Sequence, residues 1–105
     1  MPNFRLPVEN MQLLSQPKGF TYTTTSDVAE TVVTITQFME EGVKTSFVVE
    51  LYDAYVEFNG TATSSSMLVP AGSGYSEEGV YITSISIINA TAGENARIRG
   101  IVWGR

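Results

Sequence analysis

Two adjacent carboxylate pairs, Glu40 with Glu41 and Glu77 with Glu78, are the side chains best suited by type to acid–base work. In such a pair one carboxyl must be held protonated by burial or by its neighbour while the other stays ionised. Both pairs stand beside a glycine, Gly42 and Gly79, in segments that read as turns, where exposed charge is the rule. Calcium could bridge two such loops through carboxylates and backbone carbonyls, but no EF-hand spacing is present. Histidine is absent, which removes the commonest general base and metal ligand together. Cysteine is absent too, so disulfides, thiol catalysis, zinc fingers and iron–sulfur clusters are excluded. Ser64, Ser65 and Ser66 follow a turn signal, and neither Lys18 nor Lys44 stands at a serine–lysine spacing that would activate one of them. The glycines of "GSG", Gly72 to Gly74, lack the lysine and helix of a phosphate loop. No catalytic residue, metal site or cofactor site is assigned, and the chain is expected not to be an enzyme.

Binding surfaces are more promising. Tyr52, Tyr55 and Phe58 surround one strand junction, and Tyr75 and Tyr81 flank a long loop. Such aromatics either fill the end of a core or form a carbohydrate platform. Eleven acids against six bases give a net charge of -5, the wrong balance for holding a phosphate backbone, so nucleic acid is not an expected partner. Charged residues make up only 16% of the chain, against about 25% in an average domain. A surface so weakly charged is easily covered by a neighbour. No run is long and apolar enough to cross a bilayer, and "MPNFRLPVEN" lacks the apolar core of a secretory leader, so a soluble chain made in a cytoplasm is expected. The "NGT" and "NAT" sequons at Asn59 and Asn89 are then chance matches.

The elements that would position these residues are strands. At 105 residues the chain is one domain that buries about 65% of its unfolded surface. From Phe20 onward, Val, Ile, Thr, Tyr and Phe recur in short runs cut by turn residues: 20–26, 30–38, 44–52, 54–58, 66–69, 80–89 and 96–103. Seven strands at roughly ten-residue spacing predict an all-β fold, a single antiparallel β-sandwich with jelly-roll or immunoglobulin-like strand order. Gly42 is expected to close one hairpin at a left-handed position, and "NG" at Asn59 and Gly60 another. Residues 1–19 form an N-terminal arm or short helix, because Pro2, Pro7 and Pro17 punctuate apolar Phe4, Leu6, Val8, Met11 and Leu14; residues 20–105 form the sandwich.

The last strand, "ARIRGIVWGR", carries the sharpest surface signal. Alternation puts Ala96, Ile98, Gly100 and Val102 on one face and Arg97, Arg99, Ile101 and Trp103 on the other. The second set is odd to leave facing water. It is covered either by the chain's own arm, through Phe4 or Leu6, or by another polypeptide. We take Phe4, Leu6, Arg97, Arg99, Ile101 and Trp103 as candidate interface residues.

"YVEFNGTATSSSMLVPAGSGY", Tyr55 to Tyr75, followed by "ITSISIINATAGENARIRGIVW", Ile82 to Trp103, resembles the C-terminal portion of small tailed-phage virion proteins. The shared features are a strand ending in "NG", a hydroxyl-rich turn, a "LVPAG" corner, and a final strand alternating arginine with isoleucine. The resemblance covers about the last half of the chain, Tyr55 to Arg105. It implies a non-enzymatic structural protein of the virion, first a capsid decoration (cement) protein that binds and stabilises the shell. A neck or tail adaptor is the alternative, and a carbohydrate- or receptor-binding module a further one. The partners implied are capsid or other virion proteins and further copies of the chain, a homotrimer first, with no nucleic acid and no membrane.

Overall fold

The computed structural model describes residues 16–105, which form eight strands: β1 (Gln16–Thr23), β2 (Glu30–Thr34), β3 (Gly42–Leu51), β4 (Ala54–Phe58), β5 (Met67–Val69), β6 (Gly74–Ile82), β7 (Ser84–Asn89) and β8 (Arg97–Gly104). They build two four-stranded sheets, ordered β1-β8-β3-β6 and β2-β7-β4-β5, and every pairing is antiparallel. Only β4 and β5 are neighbours both in the chain and in a sheet. This alternation between layers is the jelly roll, which decides between the two sandwich orders that the sequence left open.

The core follows from strand alternation. Thr45, Phe47 and Val49 of β3 point inward, as do Ile98 and Val102 of β8. They meet Val56 of β4 and Ile85 and Ile87 of β7 from the facing sheet. Gly100 completes the inward row of β8 for a steric reason. A Cβ there would lie 2.5 Å from Phe47 Cβ and 2.8 Å from Phe20 Cζ, so its hydrogen leaves room for the two rings.

Several local expectations are corrected. The run 30–38 ends as a strand at Thr34, where a 3-10 turn over Ile35–Gln37 tucks Ile35 into the core. Gly42 closes no left-handed turn. It is buried in β3, where a Cβ would come 2.8 Å from Val102 Cγ2. Asn59 does adopt a left-handed conformation, with φ 61°, but it opens a long connection between β4 and β5 rather than a tight hairpin. The expected loop 69–79 is largely strand, because β6 begins at Gly74 and takes in Tyr75, Glu77 and Glu78. Pairing with β8 likewise extends β1 back to Gln16, so Gln16–Gly19, read with the arm, belong to the sheet. Phe4, Leu6 and the expected short helix lie outside the described residues.

One end of the sandwich is closed by a polar knot. Asn89 Oδ1 accepts from the Thr24 hydroxyl and from Ala96 N–H, while its Nδ2 donates to Ser26 O and Asp27 Oδ1, each at 3.0 Å. Gly93 N–H also donates to Asp27 Oδ1, at 2.8 Å, which ties the β1–β2 loop to the β7–β8 loop. These contacts satisfy a buried amide and occupy the nitrogen that the "NAT" sequon would modify.

Candidate functional site

The outward residues of β8 are drawn into rows by the strands on either side. The register sets Pro17, Trp103, Lys44 and Glu78 in one row, and Gly19, Ile101, Ser46 and Ser76 in the next. Thr21, Arg99, Val48 and Gly74 form a third row. Ile101, Trp103 and Arg97 are half-buried and Arg99 is exposed. The neighbours of Ile101 are small, and Ser76 donates to Ser46 Oγ across the face at 3.0 Å. Little rises above the sheet there, so the isoleucine and tryptophan are its relief.

Charge is arranged at both ends of this face. At one end Lys44 Nζ sits 5.0 Å from the centre of the Trp103 ring and 3.9 Å from Glu78 Oε2. Val43, Lys44, Glu78, Gly79 and Trp103 line an open groove of about 630 Å³ beside it. At the other end Arg99 Nε bonds Glu50 Oε1 at 3.1 Å, and Arg97 Nε lies 3.3 Å from the same oxygen without the alignment of a hydrogen bond. Two guanidiniums thus share one carboxylate. Beyond the Trp103 end, Arg105 Nε holds Glu41 Oε1 at 2.6 Å, and reciprocal backbone bonds between the two residues fasten the end of β8 to the start of β3.

The structure therefore brings four candidates, Arg97, Arg99, Ile101 and Trp103, onto one surface. Lys44, Glu78, Glu50 and the small residues escaped the sequence reading because they arrive from β3 and β6, whose neighbours only the strand order reveals. The alternation of Lys44, Ser46, Val48 and Glu50 was the one available signal. Glu77 and Glu78 point to opposite faces of β6, while Glu40 and Glu41 lie in the connection that precedes β3. Glu41 is committed to Arg105, and Glu78 faces Lys44. Glu77 accepts from the Tyr75 hydroxyl, and that hydrogen bond raises the tyrosine's pKa. Among the described residues no three acidic side chains are grouped to hold a metal ion.

The aromatic candidates scatter. Phe58 and Tyr75 pack with Phe47, with ring centres 5.7–6.3 Å apart, and so belong to the core. Tyr55 lies across from Leu68 and Ile88 in the other sheet, while Tyr52 sits in the β3–β4 turn with φ 57°. They make no single platform.

A second carboxylate site is structural. Glu30 accepts from the Tyr22 hydroxyl, the Thr25 hydroxyl, and the N–H groups of Thr25 and Ser26, at 2.7–3.2 Å. Burial works to raise its pKa, and the hydrogen bonds from Tyr22, Thr25 and Ser26 outweigh it, so the carboxyl lies below its ordinary value. Those bonds latch β1 to β2 across the two sheets.

No protein-family model and no curated protein matches the chain. Solved structures do share its fold, among them the following three. The cupin domain of an XRE-family transcriptional regulator from Enterobacter cloacae aligns with a TM-score of 0.57 at 12% identity, over 88% of this chain and 83% of that one. A subunit of the disulfide-linked pili that form Bacillus endospore appendages aligns at 0.51 with 17% identity, over 85% of each chain. The SPBc2 prophage-derived protein YomS aligns at 0.50 with 8% identity, over 87% of this chain and 97% of that one. At these identities the likeness is one of fold.

Proposed function

We propose that this chain is a non-enzymatic structural subunit of a phage particle, first a capsid decoration protein that binds the shell as an oligomer and stabilises it. The carrying observation is the outer face of the β1-β8-β3-β6 sheet, where Ile101 and Trp103 stand in line with Arg97 and Arg99, and Gly19, Ser46 and Ser76 flank the isoleucine. An aromatic and an aliphatic anchor with arginine beside them is the composition of interface centres. The phage-protein resemblance of Tyr55 to Arg105 and the fold shared with a prophage-derived protein support the same reading. Stabilisation requires only that the protein bind the assembled shell better than its parts.

The test mixes purified protein at micromolar concentration with phage shells assembled without it. Saturable co-sedimentation and a raised shell melting temperature are expected, with both weakened by Trp103→Ala. No binding at that concentration would overturn the decoration role. Capture by isolated neck or tail assemblies would then identify an adaptor.

A further inference from the structure

We propose that copies of this chain join edge to edge, with β6 of one copy pairing antiparallel with β1 of the next and Glu77 standing opposite the next copy's Lys18. The β1-β8-β3-β6 sheet then continues from copy to copy. This names how the subunits meet, and it rests on the reading of the chain as an assembly subunit.

Three observations carry it. First, both edges are open and run in compatible directions. Among the described residues no group bonds to the outer backbone edge of β1, or to that of residues 74–78 in β6. β1 and β3 run one way and β8 and β6 the other. A second copy set alongside in the same orientation therefore offers its β1 antiparallel to β6.

Second, the backbone groups are in phase. Val49 N–H donates to Ser73 O and Val49 O accepts from Gly72 N–H, so Phe47 and Thr45 also bond β6, and Gly74, Ser76 and Glu78 turn outward. Thr24 N–H donates to Ala96 O, so Lys18, Phe20 and Tyr22 bond β8, and Pro17, Gly19 and Thr21 turn outward. A proline, without a donor, suits that edge. With Glu77 opposite Lys18, Ser76 meets Gly19 and Gly74 meets Thr21, each pair exchanging both backbone bonds, while Glu78 N–H reaches Pro17 O. The row of Pro17, Trp103, Lys44 and Glu78 then runs on into the next copy's Pro17, which repeats Ile101 and Trp103 along one surface.

Third, charge selects this pairing over the pairing of either edge with itself. β1 carries Lys18 and no acid, whereas β6 carries Glu77 and Glu78 and no base. Lys18, opposite Val102, and Glu77, opposite Thr45, lie on the same face of the sheet. Lys18 Nζ rests 4.3 Å from the centre of the Phe38 ring, and among the described residues Lys18 is the one cationic side chain without a carboxylate partner. Contact between unlike edges closes into a ring or runs on as a filament, and a ring accommodates the trimer that the phage-protein resemblance implies.

The chain has no cysteine, so engineered thiols report unambiguously. Gly19 and Ser76 of one chain stand three strand spacings apart, about 14 Å, too far for a disulfide within the chain. Gly19→Cys and Ser76→Cys variants, one lengthened by a tag, would be co-expressed, purified and oxidised at micromolar concentration, with each variant alone as a control. A disulfide-linked species holding one chain of each kind, well above either control, is expected. Glu77→Lys in the Ser76→Cys copy should lower that yield several-fold, and Lys18→Glu in the other copy should restore it. Pro17→Cys with Glu78→Cys is the second pair should Gly19→Cys not fold. A mixed yield no higher than the controls overturns the proposal. So does a variant that links chiefly to itself, or a mixed yield that ignores both charge reversals. Shell binding is measured on the unmodified protein, so either reading can fail while the other stands.

Discussion

Two residues show how single atoms decide this fold. Gly100 was placed on the inward face of β8 by alternation alone, but its need to be glycine depends on Phe20 and Phe47 meeting above it, from strands far away in the chain. Gly100→Ala should cost about 1–3 kcal/mol by overpacking, read as a fall in the urea midpoint without a change in slope. Glu30 works through charge. Its pKa is lower in the folded state than in the unfolded chain, so its stabilisation is complete above the unfolded value and is lost as pH falls through the folded one. Glu30→Gln should therefore destabilise the protein by about 1–2 kcal/mol at neutral pH and by less in acid, flattening the acid limb of melting temperature against pH. Part of the slope should persist. Asp27 is also lowered, by Gly93 N–H first and then by Asn89. An unchanged acid limb would show that the Glu30 latch does not form in solution.

At the scale of elements, composition and alternation found the β vocabulary and the two faces of β8, because those are local properties of a pleated strand. The sequence could not reveal which strands are neighbours. The first part of β6, residues 74–79, was read as a loop because Gly74 and Gly79 look like punctuation, yet Gly74 lies opposite Val48 in a paired edge strand. The "NG" signal was sound for the backbone of Asn59 and misleading for topology. Its side chain is a clamp rather than part of a tight turn. Nδ2 donates to Tyr81 O at 2.6 Å and Oδ1 accepts from Thr83 N–H at 2.6 Å, fixing the corner between β6 and β7 from the end of β4. Two substitutions separate the clamp from the conformation. Asn59→Gly keeps the left-handed backbone and loses the clamp, whereas Asn59→Ala loses both, so alanine should be the worse by about 1 kcal/mol in chemical denaturation. Equal losses would mean that the positive φ carries no cost here.

For the whole molecule the governing fact is that the first described strand pairs with the last. β1 lies on β8 along its whole length, from Gln16 opposite Gly104 to Thr23 opposite Arg97, and β8 in turn pairs with β3. The sheet that carries the candidate interface is thus completed by the segment that joins it to the arm. Deleting residues 1–15 removes no described strand, so the truncated chain should keep its strand circular dichroism and a single cooperative melt. If residues 1–15 link the copies, its mass by light scattering should fall from that of the oligomer, a trimer as the phage-protein resemblance implies, to that of one chain. Deletion through Thr23 should behave differently in kind. It strips Phe20 from the core and Tyr22 from the Glu30 latch, and it bares the edge of β8, so the product should be unfolded or aggregated rather than a smaller domain. A shorter chain that still melted cooperatively after losing β1 would show that the other seven strands suffice for the fold. A truncation at Gln16 that kept the full oligomeric mass would locate the contact between copies on the sandwich itself.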